Sequence, residues 1–321
     1  VDGSEAALDV LDRALVTKDP DVPAKRDSES SNQSAVGISL ILVTHNSGDV
    51  LTDLLGALAD APPSRSWELV VEDNASNDDS VEQVRAAFSN ASISESDRNR
   101  GFAAAVNASA TNAHGQYYLV VNPDIHWASG AIDTLASFLD EHPHAAAVAP
   151  RLVFPDGRPQ FSVRHFPTHG NICFSRGAPW SRWFPRLTGS ARYTVPDPET
   201  PQRIEAVAAA CLLIRATAFE QIGGMDEGYF LFVEDTDFCR RLHEAGWEVW
   251  MDPTVQVVHR WGSLHANDPV RRRHHRRGIR RYFRKFHPRK RVRNAILFTL
   301  LGLADAASRL FGSRRARGAA K

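Results

Sequence analysis

The chain is poor in cysteine and in long apolar runs. Only three cysteines occur among 321 residues, Cys173, Cys211 and Cys239. They are odd in number and far apart, so neither a disulfide framework nor a CxxC metal site can be read from them, which fits a reducing compartment. The longest strongly apolar tract, Ala295 to Ala304, is ten residues, too short to cross a bilayer as a helix. The N-terminus is acidic and lacks an apolar stretch, so no signal peptide is expected. A cytoplasmic location is the expectation. No internal repeat is visible, which removes solenoids and propellers.

Net charge is also missing, with 38 Lys and Arg against 38 Asp and Glu. The balance hides a strong polarity. From Arg271 to Lys321 eighteen basic residues face Asp305 alone, leaving twenty basic against thirty-seven acidic residues before them. Such separation implies a neutral-to-acidic body with a basic tail that meets an anionic surface. What is abundant is core material: 43% hydrophobic residues, with seven Trp and sixteen Phe, enough for one large domain or two ordinary ones.

Residues 1–36 read as a flexible extension with one short amphipathic helix on Ala6, Val10, Leu11 and Leu15. From Gly37 the pattern changes. Ile38 to Val43 is an apolar run of the kind a buried parallel strand needs. A helix on Val50, Leu54, Leu55 and Leu58 follows, then a strand at Trp67 to Val71. A helix from Asp79 to Phe88, a weak strand around Ile93, a helix from Phe102 to Ala113 and a strand at Tyr117 to Val121 continue the alternation. A helix at Ile132 to Leu139 and a strand at Ala145 to Ala149 extend it. This order predicts an α/β fold with a mostly parallel sheet, whose ligands bind beyond the carboxyl ends of the strands. Residues 155–203 resist assignment. Beyond them Ala206 to Ile214 reads as a strand, Asp235 to Ala245 as a helix, and Trp247 to Met251 and Val255 to Val258 as two short strands.

The polar residues gather where those strands end. The first ends in Thr44-His45-Asn46 and the second in Glu72-Asp73-Asn74-Ala75-Ser76. A strand-end Asp can accept hydrogen bonds from a ribose or a base, although Ser76, Asn77 and Asp78 are also good helix caps. Arg100-Gly101 before an Ala-rich helix lets backbone N–H groups approach a phosphate, and close helix–sheet packing explains the same residues. The segment is neither a P-loop nor GxGxxG. Asn122-Pro123-Asp124 ends the fourth strand, where a carboxylate beside a diphosphate would hold magnesium or manganese; it is equally a good turn. Glu234, Asp235 and Asp237 cluster at a helix start, which the macrodipole favours. Residues at i and i+2 on a helix do not face each other, so a single base is expected there rather than a carboxylate pair. His259 follows a strand and could bind a metal through neutral imidazole.

Taken in order, the segments VTHN (43–46), EDNAS (72–76), NRGFAAAVN (99–107), NPD (122–124), GGMDEGYFLFVEDTDFCRRL (223–242) and HRWGS (259–263) resemble the family 2 inverting glycosyltransferases of the GT-A fold, especially their bacterial rhamnosyltransferase-like branch. The resemblance covers about 38–266. It implies a GT-A domain over 37–268, with a nucleotide-binding half at 37–125 and an acceptor half at 126–268, followed by basic amphipathic helices at 269–321. Thr44, Asn46 and Asp73 then hold the nucleoside. Asn74, Arg100, Gly101, Asn107, Asn122 and Asp124 lie along the nucleotide-sugar donor. Asp124 takes a divalent metal, magnesium or manganese, with His259 as second ligand, because Asn122 replaces the first acid of the usual DxD. Asp235 matches the catalytic base, and Glu234, Asp237, Arg241 and Trp261 stand as acceptor-side or supporting residues. The resemblance also implies dTDP-rhamnose as donor and a polyprenyl-diphosphate-linked saccharide as acceptor, with galactofuranose, mannose or a non-catalytic membrane scaffold as alternatives.

A sugar nucleotidyltransferase would need basic residues in the first loop, which VTHNSGD lacks. Ile279, Tyr282, Phe283 and Phe286 recur at helical spacing among Arg and Lys, followed by Ile296, Leu300, Leu303 and Leu310. This pattern predicts a tail lying on an anionic membrane surface, and with it a peripheral position on the inner face of the plasma membrane. An RNA-binding arm is the alternative; nucleic acid is not the expected partner.

Overall fold

The computed structural model describes residues 36–173, 193–194, 199–260 and 269–318. The helix expected near Ala6 to Leu15, and Trp261, lie outside the described residues.

The first half follows its apolar runs. Strands β1 (Ile38–Thr44), β2 (Trp67–Asp73), β3 (Ser92–Glu95) and β4 (Tyr117–Val121) pair in parallel in the order β3-β2-β1-β4. Helices α1 (Gly48–Asp60), α2 (Ser80–Ala87) and α3 (Phe102–Ala110) connect them. Alternate residues of a strand point to opposite faces, so Leu40 and Leu42 join Leu51, Leu54 and Leu58 in one apolar layer. Ile41 joins Ala103 and Val106 in the other. Each such fully buried Leu or Ile stabilises the fold by roughly 1.5–3 kcal/mol.

The second half is less regular. It runs β5 (Ile125–Trp127), α4 (Ala131–Glu141), β6 (Ala145–Val153), β7 (Val163–Arg164), α5 (His169–Cys173), β8 (Tyr193–Thr194), β9 (Gln202–Arg203), β10 (Ala206–Val207), β11 (Cys211–Arg215), α6 (Ala216–Gln221), α7 (Glu234–Glu244), β12 (Glu248–His259), α8 (Pro269–Phe286) and α9 (Arg291–Gly318). The main sheet reads β3-β2-β1-β4-β11-β6-β12-β5, with β9 also on β12. Strands β5, β9 and β11 run against the other six, so the sheet is mostly parallel, as expected. Strands β10, β7 and β8 form a second, small sheet.

Three sequence expectations need correction. The single strand at Ala206 to Ile214 is two, β10 in the small sheet and β11 in the main one, because the Ala208 N–H turns aside to the Ser162 carbonyl at 3.0 Å. The two strands at 247–258 are one twelve-residue strand, β12. Its pairing with β6 slips between Asp252 and Gln256, where Asp252 Oδ1 accepts from both the N–H and the hydroxyl of Thr254. The largest correction concerns α8. Its stripe of Ile279, Tyr282 and Phe283 is at most 1% exposed, packed with Tyr229, Val233, Ile172 and Leu297 in a third apolar cluster that Phe286 flanks. That stripe covers protein, not lipid.

Candidate active site

The ends of β1 and β2 stand side by side, Thr44 opposite Asp73. Thr44 Oγ1 donates to Asp73 Oδ1 at 2.7 Å, and Ser76 donates its N–H to Oδ2 at 2.8 Å. Asn46 sits at φ 50°, a conformation that asparagine tolerates better than most residues, and its Oδ1 accepts the Asn77 N–H at 2.8 Å. The two loops are thereby tied into one rim. Asn74 fastens the next loop: its amide donates to Asn99 Oδ1 and the Gly101 carbonyl, and its Oδ1 accepts the Arg100 N–H. Gly101 has φ +88°, and a Cβ there would lie 2.4 Å from the Phe230 carbonyl oxygen, so no other residue fits. The Phe102 N–H donates to that same carbonyl at 2.9 Å, which removes one helix-start donor from any phosphate. Arg100 pairs with the buried Glu72 at 3.2 Å.

Beyond this rim a cavity of about 450 Å³ opens, lined among others by Asn74, Gly101, Asn122, Asp124, Asp235 and His259. The pairing of Ile125 with His259 carries Asp124 to the end of β12. There His259 Nε2 lies 3.3 Å from Asp124 Oδ1. Buried Gln160 sets the histidine tautomer. Its amide nitrogen donates to the His259 carbonyl at 2.6 Å and the Val153 carbonyl at 3.3 Å, so its Oε1 must face His259 Nδ1, at 2.8 Å. Nδ1 therefore carries a hydrogen, and Nε2 faces a carboxylate oxygen. A histidine beside a strand-end carboxylate, with its other ring nitrogen held by an outer partner, is an arrangement that can hold a metal ion. Among the described residues no group of three or more His, Cys, Asp or Glu forms a larger metal cluster, so substrate phosphates and water would complete such a site, as suits magnesium or manganese.

Helix α7 supplies the acids. Its entry is strained: Phe232 and Val233 have φ 69° and 75°, the latter costly for a β-branched residue and typical of functional turns. The turn aims Asp235 and Glu234 into the cavity while Asp237 points away. Asp235 Oδ1 accepts from Arg164 Nη1 at 3.1 Å, the Thr236 N–H at 2.6 Å and Thr236 Oγ1 at 3.1 Å, whereas Oδ2 accepts Arg164 Nη2 at 2.8 Å. Glu234 is 5% exposed, and its Oε2 has no hydrogen-bond partner among the described residues. Burial, and then the Asp235 charge, push its acid above the usual carboxylate range despite opposing backbone N–H groups.

Not every expected residue meets at this cavity. Asn107 exchanges hydrogen bonds with the Met225 backbone and reaches Glu227, and it does not line the space. These contacts hold the loop before α7. Asp237 is fully buried between Tyr229, Arg241 and Lys285, so Asp237 and Arg241 brace α7 from behind. Thr44, Asn46, Asp73 and Arg100 belong to the tied loops beside the cavity and do not line it. Sequence reasoning missed Arg164 and Gln160, both in the stretch that resisted assignment. No regular alternation marks them, since Phe161 lines the same cavity as Gln160, Ser162 and Arg164.

This geometry stands beside clear likenesses. Residues 39–222 match glycosyl transferase family 2, and the chain belongs to that family. It is 29% identical over 246 residues to the N-acetylglucosaminyl-diphospho-decaprenol L-rhamnosyltransferase of Mycobacterium tuberculosis, covering 73% of this chain and 79% of that one. Its fold is similar to a mannosyltransferase from Pyrobaculum calidifontis in complex with GDP-Man and Mn2+, with TM-score 0.54, 17% identity, and 91% and 84% coverage of the two chains. It is also similar to GalNAc-T7 with UDP, GalNAc and Mn2+, with TM-score 0.53 and 17% identity, spanning 71% of this chain and 44% of that one. The GT-A expectation is thus borne out.

Proposed function

We propose that this glycosyltransferase moves L-rhamnose from dTDP-rhamnose, with inversion, onto a saccharide carried by polyprenyl diphosphate in cell-envelope polysaccharide synthesis. The observation that carries the chemistry is one cavity holding a strand-end Asp124–His259 pair and, on another wall, Asp235 at the start of α7. The sugar and the lipid-linked acceptor rest on similarity to the rhamnosyltransferase named above.

In this reading an acceptor hydroxyl gives its proton to Asp235 as its oxygen attacks the anomeric carbon. The bond from that carbon to the nucleoside diphosphate breaks, and the electron pair leaves with the diphosphate. Asp235 Oδ1 already accepts three hydrogen bonds and Oδ2 one, so Oδ2 is the proton acceptor. Arg164 and Thr236 hold that carboxylate in place. A magnesium or manganese ion held by Asp124 and His259 would neutralise charge on the departing diphosphate. Asn74 and the rim of Thr44, Asn46 and Asp73 seat the nucleoside.

The enzyme meets an anionic membrane through α9. Val292, Ile296 and Leu303 are 75%, 57% and 63% exposed and share one face by helical spacing, beside the exposed Arg289, Lys290, Arg291 and Arg293. Among the described residues no helix is long and apolar enough to cross a membrane.

Transfer of labelled rhamnose to the lipid-linked acceptor tests the reading. Positioned base catalysis contributes roughly 10²–10⁴-fold, so Asp235→Asn should lose turnover on that scale while still binding dTDP. Near-normal transfer by a folded Asp235→Asn protein would remove the base. Preference for a GDP- or UDP-sugar in a donor panel would remove dTDP-rhamnose.

A further inference from the structure

Four phenylalanines line the cavity, Phe102, Phe161, Phe230 and Phe232. Three of them pack against protein. Phe102 flanks the second apolar cluster and Phe232 the third, and the Phe230 ring stacks on His274 with centroids 4.5 Å apart and planes at 24°. Phe161 does neither. It is 48% exposed and lies outside all three apolar clusters. Among the described residues no aromatic or cationic group meets its ring.

The backbone puts the ring there. The Ser162 N–H donates to the Gln160 carbonyl at 2.9 Å, closing a three-residue γ-turn with Phe161 at its centre. Such a turn breaks the two-residue alternation of a strand, so Phe161 lines the same cavity as its buried neighbours Gln160 and Ser162. Both flanks are tied. The Gln160 N–H donates to the Leu152 carbonyl at 2.9 Å, and the Ser162 carbonyl accepts the Ala208 N–H at 3.0 Å. The Gln160 side chain reaches His259 at 2.8 Å, and Arg164, three residues past the ring, holds Asp235 at 2.8 Å. Phe161 thus stands in the chain between the anchor of the metal pair and the anchor of the base.

Scattered exposed apolar side chains are ordinary on a protein surface. A phenyl face held open inside a cavity, among amides and carboxylates, is a different case. Its matching ligand carries C–H bonds on a face and hydroxyls around the edge, as a pyranose does. The negative π face attracts the polarised C–H groups, and the polar neighbours meet the hydroxyls. A donor sugar, tied to its diphosphate, belongs beside the largely buried Asp124 and His259. A half-exposed ring stands on the open side, where the second sugar enters.

We propose that Phe161 is the platform on which the acceptor's sugar ring stacks while Asp235 takes its proton. This rests on the function proposed above.

Transfer kinetics with N-acetylglucosaminyl diphosphate on a short alkyl chain test the platform. A contact made equally before and during the reaction raises KM when lost and spares kcat. Phe161→Ala should raise the acceptor KM on the order of three- to tenfold, the range of an aromatic contact, with kcat and donor KM unchanged. Phe161→Leu keeps apolar bulk without the ring and should share most of the loss, whereas Phe161→Tyr should recover it. Melting curves should coincide, because the ring packs in no cluster. Saturation-transfer NMR with the same glycolipid and no donor should show the sugar's C–H protons losing contact in Phe161→Ala; that loss sustains the platform even if the donor panel selects another sugar. An unchanged acceptor KM overturns the platform alone and leaves the proposed function standing. A parent protein that neither binds nor uses the glycolipid removes that acceptor and the platform together. A raised donor KM or weaker dTDP binding, with the acceptor KM intact, gives the ring to the donor and overturns the proposal. A loss seen only with long-chain acceptors gives it to the lipid and overturns the proposal too.

Discussion

Two helical glycines should respond to alanine with opposite signs. Gly278 lies inside α8, and a Cβ there would sit 2.8 Å from the Phe232 carbonyl oxygen and 3.0 Å from Val233 Cγ2. The nearest of these atoms is backbone, in a turn already at φ 69° and 75°, so it has little freedom to yield. Gly56 lies inside α1 with nothing within 4 Å of its Cβ position. Alanine is favoured over glycine in a helix by about 1 kcal/mol, and overpacking costs ~1–3 kcal/mol. Gly56→Ala should therefore gain up to about 1 kcal/mol, while Gly278→Ala should lose up to about 2 kcal/mol once the two effects are set against each other. At roughly 2–4 °C per kcal/mol for a domain of 150–250 residues, melting curves resolve both shifts. The Gly278 change should also lower turnover more than donor affinity, because the displaced turn aims Glu234 and Asp235. A Gly278→Ala protein as stable and as active as the parent would refute the view that α8 buttresses the catalytic turn.

Gln160→Leu should leave His259 free to take the other tautomer and weaken Mn2+ binding by ~10–100-fold, read from the electron paramagnetic resonance of free Mn2+; unchanged affinity would detach Gln160 from the metal pair. Burial raises the Asp226 acid, but hydrogen bonds from Arg281, Lys285 and the Gly228 N–H outweigh it and hold the group down at about 2. A depressed folded value stabilises above the unfolded 3.8 and is lost as pH falls through 2, so the melting-temperature gap between the parent and Asp226→Asn should close over that window; a gap independent of pH would be evidence against the latch. Ile296→Glu should lower co-sedimentation with anionic vesicles and spare transfer to a short-chain acceptor, whereas equal vesicle binding would take α9 off the membrane.

The parts of this fold that were readable are those where burial alone decides. Ile38 to Val43 and Tyr117 to Val121 are apolar on both faces because the sheet is covered on both, and no other element accepts such runs at that length. Asp124, Asp235 and His259 end or begin regular elements, where turns and the helix dipole also favour polar residues; it was the ordered set of motifs, not any one residue, that placed them on one cavity. Arg164 and Gln160 were not readable. Arg164 sits on a two-residue strand, too short to show a period, and its partner Asp235 is 71 residues away. Asn107 was placed by the resemblance alone; that it also binds the Met225 backbone, 118 residues on, is a contact no local pattern shows.

The basic helices show why pattern alone could not separate lipid from protein. Amphipathic spacing states that one face of a helix is apolar, and it does not state what covers that face. On α8 the apolar stripe is interrupted by Gly278, an expensive choice for a helix lying on a membrane, where nothing demands close approach. On a protein surface it is the residue that allows α8 to touch the Phe232–Val233 turn. The same turn leads directly into Glu234 and Asp235, so α8 is coupled to α7 through the contact that its glycine permits. The arginines of α8 then divide by face: Arg281 pairs with Asp226 in the loop before α7, Arg271 looks into the cavity, and Arg272 and Arg277 face solvent. A charge excess that reads in sequence as one membrane-facing surface is, in three dimensions, a latch, a cavity wall and an outer face. The proposed membrane contact therefore falls to α9, whose exposed Val292, Ile296 and Leu303 lie on the helix next to the one that packs on the Phe232–Val233 turn.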